Sequence, residues 1–248
     1  MADVYAVMDD IFDNGGANLE HIVTVDNVNK IGYNGETPLM FAVRYHLEVD
    51  KIKFLVEERG ADPAFGDSHR YTALMLAAAL KHLEIVNYLA GVTELEEKER
   101  VFYWLTTFTS TTDVLRCLHE QHGVPVDVRD AATGGTALMR AAVNKNLETV
   151  QYLCEQGANV NLRDTRGYTA LAHAASSPCK DDDIVCKYLC ARGVLIDRLL
   201  PIGRDYPYCV WKQYRRSQIF ALMSKRHPGA QIDRLPSEIF RRIYNLLS

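Results

Sequence analysis

Thr37-Pro-Leu-Met-Phe-Ala-Val43, Thr72-Ala-Leu-Met-Leu-Ala-Ala78, Thr136-Ala-Leu-Met-Arg-Ala-Ala142 and Thr169-Ala-Leu-Ala-His-Ala-Ala175 are four versions of one heptapeptide. Their threonines stand 35, 64 and 33 residues apart, so the middle interval holds two periods of about 33 residues. An apolar stretch with helical spacing follows each copy: KIKFLVEERGADP at 51–63, KHLEIVNYLAG at 81–91, NLETVQYLCEQGANVN at 146–161 and IVCKYLCARGVLID at 184–197. The unit missing from the middle interval falls at 92–128. Its front half, VFYWLTTFTSTTD, has lost the threonine signature, while DVLRCLHEQHGVPVD restores a second helix and a closing glycine.

Each recurring residue has a physical task. The threonine caps the free N–H groups at a helix start, and Pro38 fits the first helical turn. The following Leu and Ala are small enough for antiparallel helices to pack closely. Gly60, Gly91, Gly123, Gly157 and Gly193 are expected to end the second helices, where a left-handed backbone favours a residue without a side chain. One helix pair cannot bury its own apolar face, so neighbouring pairs must stack.

Period, signature and closing glycine recur together over residues 32–197, and in this the chain resembles the ankyrin-repeat family. The resemblance implies an all-α solenoid of five stacked helix-turn-helix units, the third (92–128) degenerate. The histidine usual after Thr-Pro-Leu in that family is replaced here by Met40, Met75, Met139 and Ala172, so its ties between turns are expected to be missing. Two insertions, 47–50 and 177–183, are expected to bulge between the helices of their repeats.

Composition agrees with a globular chain: 48% of the 248 residues are hydrophobic and 24% charged. No run of 18 apolar residues is present, so no membrane-spanning helix is expected, and the N-terminus does not read as a secretory signal. Six scattered cysteines suit reduced thiols in a cytoplasmic or nuclear protein, which could also be an effector working inside a host cell. The net charge of −4 is uneven. Residues 198–248 hold ten Lys/Arg against three Asp/Glu, leaving 18 against 29 in the rest.

The ends differ from the repeats. Residues 1–31 are expected to form a capping helix, or the second half of a partial repeat, with Val4, Val7, Met8, Ile11 and Phe12 at helical spacing before Asn14-Gly-Gly. Residues 198–248 form a basic, aromatic, helical C-terminal region. Within it, 235–247 (Leu235-Pro-Ser-Glu-Ile…Leu247) starts with a proline preset for a first turn and carries Ile239, Ile243, Leu246 and Leu247 on one stripe. This helix resembles the opening of an F-box, truncated as in poxvirus ankyrin proteins, and is similar to a SOCS-box-like motif. The resemblance implies that Leu235, Pro236, Ile239, Ile243 and Leu247 meet a ubiquitin-ligase adaptor. Packing on the last repeat as a cap is the other reading, and one helix could serve both.

Little in the chain points to chemistry. Cys179, Cys186 and Cys190 lie close together with His173 upstream, but zinc sites prefer paired knuckles in a tetrahedral set, and Cys190 aligns with Cys154 at an apolar slot that core packing explains. No phosphate loop or nucleophile motif is present. No catalytic residue, metal or cofactor is expected, and the chain is not read as an enzyme.

The expected function is that of a scaffold or adaptor, a monomer holding a protein client on the ankyrin concave face, and a substrate receptor if the C-terminal helix recruits a ligase adaptor. The family's habit places contacts just before the threonine and after the double alanine. That implies Tyr33, Asn34, Glu36, Arg44 and Tyr45, then Ser68, His69, Tyr71 and Leu80, then Thr133, Val143 and Asn144, and finally Thr165, Arg166, Tyr168 and Ser176. Tyr and Arg are favoured at interface hot spots. The alternative is a nucleic-acid or membrane-surface binder working through the basic C-terminal region, although nucleic acid is not the expected partner because no fold signature for it appears.

Overall fold

A computed structural model describes residues 3–67, 69–176 and 184–192. Among them the chain is all-helical, with no strand and only two isolated bridges, Gly66 with Thr72 and Arg129 with Thr136. It divides into two compact units, 1–128 and 129–248.

In the first unit the chain runs α1 (Val4–Asn14), α2 (Leu19–Ile22), α3 (Pro38–Arg44), α4 (Val49–Lys53), α5 (Ala73–Ala79), α6 (Leu83–Val92), α7 (Leu95–Leu105) and α8 (Thr112–Arg116). Both α4 and α8 continue into a wider π turn, Phe54–Glu58 and Cys117–Gln121. First helices pack in a row, α1 on α3, α3 on α5 and α5 on α7, and second helices form another row through α4, α6 and α8. The second unit repeats this plan with α9 (Ala137–Val143), α10 (Leu147–Glu155), α11 (Ala170–Ser176) and α12 (Ile184–Ala191), α9 on α11 and α10 on α12.

The heptapeptide does what its chemistry dictates. Thr37, Thr72, Thr136 and Thr169 each accept a hydrogen bond on Oγ1 from the backbone N–H three residues on, at 3.3–3.4 Å. Two residues later Leu39, Leu74, Leu138 and Leu171 are buried, and Ala42, Ala77, Ala141 and Ala174 are completely enclosed where first helices touch. Gly60, Gly123 and Gly157 close second helices at φ +73°, +69° and +87°.

Several expectations need correction. Gly91 is not a terminator: α6 runs through it to Val92, and only Thr93 and Glu94 separate α6 from α7. The third repeat therefore has no hairpin arm before its first helix. Residues 47–50 do not bulge, since Leu47 is buried, Glu48 is the N-cap of α4, and Val49 and Asp50 open that helix. On α1, Val4, Val7, Met8 and Ile11 are buried, but Phe12 faces solvent. Because α1 packs on α3, it occupies the place of a first helix, so 1–31 is not the second half of a repeat. The insertion at 177–183, Gly193 and all of 198–248 lie outside the described residues.

Ties between turns are made without the family's histidine. Met8 Sδ accepts from Tyr33 N–H at 3.2 Å, while Met139 Sδ accepts from Thr136 N–H at 3.3 Å within its own helix cap. The Thr72 hydroxyl donates to Glu97 Oε1 on α7 at 2.7 Å, while Glu97 Oε2 pairs with Arg100 at 2.6 Å. Asn29 joins successive hairpins, donating to Gly60 C=O and accepting from Asp62 N–H. In the second unit Thr133 C=O accepts from Thr165 N–H and Oγ1. The turn from first to second helix places His46, Lys81, Ser110 and Lys145 at φ +56° to +60° in corresponding positions. His46 also lies tilted against His82, ring centroids 3.8 Å apart.

Two measurements test this packing. Removing Glu97 leaves the buried Thr72 hydroxyl and Arg100 without their acceptor, so Glu97→Ala should cost about 1–3 kcal/mol in urea unfolding, with Glu97→Gln recovering most of it. Burial, and then the neighbouring His46, hold the His82 pKa below its ordinary 6.5. The folded chain thus binds that proton less tightly than the unfolded chain, and the stability it supplies above pH 6.5 is lost as pH falls through the depressed value. His82→Gln should flatten the stability–pH curve just below pH 6.5, read from chemical denaturation midpoints.

Candidate functional site

Hairpin tips and first helices of the first unit carry a dense aromatic surface. Among the described residues every exposed Phe or Tyr belongs to it: Tyr5, Phe12, Tyr33, Tyr45, Tyr71 and Phe108, between 41% and 62% exposed. They fall into two rows. In one, Tyr5 lies edge-on to Tyr33 (4.9 Å), Tyr33 leads to Phe41 (6.3 Å), Phe41 to Tyr45 (4.6 Å), and Tyr45 meets Phe12 edge-on (5.3 Å). In the other, His69, Tyr71, Trp104 and Phe108 follow one another at 6.5, 5.5 and 4.7 Å.

Local structure fixes these rings. Tyr33 opens a hairpin tip in which Asn34 takes φ +57°, and its phenol donates to Asp9 Oδ1 at 3.2 Å. That hydrogen bond raises the Tyr33 pKa. Tyr45 caps the end of α3, its N–H bonded to Phe41 C=O. Tyr71 is set by Asp67, whose carboxylate accepts from the His69 and Tyr71 N–H groups at 2.8 and 2.9 Å.

Glu36 and Arg44 act on each other. Glu36 is buried, and Arg44 grips its carboxylate through Nε (2.9 and 3.1 Å) and Nη2. This bonding outweighs partial burial and raises the Arg44 pKa further. Glu36 therefore offers nothing to a partner; it orients Arg44, whose side chain stays 43% exposed.

Because the third repeat lacks a hairpin, the arm at 62–71 has an open flank. A cleft of about 490 Å³ lies there, with Gly66, Asp67 and Arg70 on one wall and Glu94, Glu97 and Arg100 on the α7 side. The Arg100 Nε is buried in it without a partner.

Expected contacts in the second unit are sparser. Thr133, Val143, Asn144, Thr165 and Arg166 are exposed, but Thr133 and Thr165 are engaged with each other and Asn144 Nδ2 donates to Arg140 C=O. Tyr168 is half-buried against His173, whose Nε2 sits 2.9 Å from Asp164. Burial pushes the Asp164 carboxyl up, yet hydrogen bonds from Tyr168 N–H, His173 and Arg166 N–H outweigh it and hold the pKa low. Leu80 is exposed in the first unit. Ser68, the Ser176 side chain, and Leu235, Pro236, Ile239, Ile243 and Leu247 lie outside the described residues. Sequence reading passed over Tyr5, Phe12, Trp104 and Phe108. The i, i+7 spacing of Tyr5 and Phe12 about Asp9 was their available signal.

Cys117, Cys154, Cys186 and Cys190 are buried thiols. Burial pushes the Cys117 and Cys154 pKa values up, which disfavours the nucleophilic thiolate at those two positions.

Threonine-capped helix pairs repeated along the chain define a helix-pair repeat protein. The chain belongs to the ankyrin-repeat family: the family described as ankyrin repeats (3 copies) matches residues 8–98 and 105–198. The zebrafish (Danio rerio) ankyrin repeat and SAM domain-containing protein 6 is 34% identical over 112 residues, 43% of this chain and 15% of that protein. The mouse (Mus musculus) B-cell lymphoma 3 protein homolog is 32% identical over 151 residues, 57% of this chain and 32% of that protein. The matches thus span less than a third of either relative. In three dimensions the ankyrin repeat domain of Bcl-3, of the IkappaB protein family, aligns with a TM-score of 0.59 at 23% identity, covering 84% of this chain and 87% of that one. The fold is that of ankyrin-repeat solenoids, and such repeats mediate protein–protein interaction.

Truncating Arg44 tests the site's foundation. Arg44→Ala leaves the Glu36 carboxylate buried without its cation and should cost roughly 2–3 kcal/mol in thermal or urea unfolding. The double variant Glu36→Gln/Arg44→Ala should recover part of that loss.

Proposed function

We propose that this chain is an adaptor that grips a protein client on the aromatic surface of its first unit. The observation that carries the reading is the one-sidedness of the exposed rings. Six exposed Phe and Tyr side chains gather on the first helices, hairpins and helix-joining turns of residues 1–128, and none is exposed elsewhere among the described residues. Solvent-facing aromatic clusters are costly on a monomer and supply the anchors of interfaces. Rigid rings with two side-chain torsions lose little entropy when a partner lands on them.

The finer reading is a substrate receptor. Its support is the sequence resemblance of 235–247 to an F-box-like helix, with Leu235, Pro236, Ile239, Ile243 and Leu247 as the adaptor-facing set. On this reading the client and the ligase adaptor bind different parts of the chain.

Affinity capture with quantitative mass spectrometry tests both. Tyr45→Ser/Tyr71→Ser, with unchanged helical circular dichroism, should reduce client recovery by about tenfold or more. Undiminished recovery of every client would sink the aromatic-surface reading. A chain ending at residue 234 should lose ligase components and keep the client. Equal recovery of both with the shortened chain removes the receptor role.

A further inference from the structure

The first aromatic row does more than present apolar area. Tyr5, Asp9 and Phe12 lie on one stripe of α1 at i, i+4 and i+7, so the carboxylate sits between two exposed rings. Across from them run Tyr33, Phe41 and Tyr45, with Phe41 buried and the other two exposed. The five rings form a continuous arc from Tyr5 to Phe12 in which successive centroids lie 4.6–6.3 Å apart. Phe41 is the buried member, and the remaining four are exposed.

Asp9 is exposed and takes a single described hydrogen bond, from the Tyr33 hydroxyl. Among the described residues its second oxygen has no cation beside it. Asp3, Asp10 and Asp13 share α1 and its cap with Asp9, and residues 3–14 contain no Lys or Arg. Arg44 and Lys51, on the helices that follow, are already committed, Arg44 to Glu36 and Lys51 to the Gly15 carbonyl. Ring faces carry negative quadrupole potential, and a carboxylate in their midst adds a full charge of the same sign. The arc is thus electron-rich, negative and unoccupied by any cation of its own unit among the described residues.

Resting on the protein-client reading above, we propose that the arc between α1 and α3 receives an arginine side chain of the client, its guanidinium stacked on the rings and hydrogen-bonded to Asp9. A planar guanidinium matches both elements at once, since it stacks on aromatic faces and donates in a fork to a carboxylate. A lysine ammonium would meet the charge without using the plane.

The test titrates the full chain, 15N-labelled, with N-acetyl-arginine amide and, in parallel, with N-acetyl-citrulline amide, a neutral side chain of nearly the same shape. Arginine amide should move the amide resonances of residues 5–13, 33 and 45 in a saturable way, and citrulline amide should not. Asp9→Asn and Phe12→Ala, both changes at exposed positions, should each weaken arginine binding by about threefold to tenfold. Equal shifts with citrulline, a stronger response to N-acetyl-lysine amide, or an arginine response untouched by both substitutions would overturn the assignment. Because the client-capture experiment depends on Tyr45 and Tyr71, intact capture alongside a failed titration removes only the arginine pocket. Loss of the client-binding reading shows instead as undiminished capture by the tyrosine variants.

Discussion

The hydrogen bond from a backbone N–H to a threonine hydroxyl three residues earlier sets the register of this molecule. At Thr37, Thr72, Thr136 and Thr169 it starts a helix at a fixed residue. Everything that follows counts from that start: the leucine two places on, the alanine five places on at the contact between first helices, and the turn into the second helix. A cap in a different place would rotate the buried alanines out of the seam. The seam holds two helical backbones close enough that a side chain much larger than alanine would part them.

This explains why so much of the fold was legible and where legibility ended. Capping chemistry is local, so four helix starts could be read from four threonines. The third repeat has no threonine in the capping place, and its first helix starts instead at Leu95, behind Glu94 as N-cap and with Glu96 and Glu97 in its first turn. Nothing in the run VFYWLTTFTSTTD revealed that start, because the decisive residues lie ahead of it. Gly91 misled for a related reason. A glycine ends a helix only where the chain must turn left-handed, and here α6 runs on to Val92 before two extended residues, Thr93 and Glu94, lead into α7.

The candidate site was legible where it lies on hairpins and illegible where it depends on helix rotation. Tyr33, Tyr45 and Tyr71 stand at fixed offsets from the threonines. Phe12 fitted an apolar stripe as well as Ile11 did, and which of the two faces the neighbouring helix depends on a rotation of about 100° per residue that α3 decides. Glu36 shows the reverse case, a charged residue beside the signature that is turned inward to steady Arg44. Burial of a carboxylate next to an exposed hairpin is a tertiary outcome, and its spacing from Arg44 on a different element gave no local sign of it.

The left-handed residues between first and second helices have a mechanical meaning. His46, Lys81, Ser110 and Lys145 hold a backbone state that costs a side-chain-bearing residue roughly 1–2 kcal/mol, at the same joint of successive units. Each joint is therefore a lightly loaded spring. In a linear stack, where a unit touches only those beside it, such loading makes local opening easier without dissolving the rest. The elbows behind the ring-bearing helices are therefore the places where such opening would release stored backbone cost.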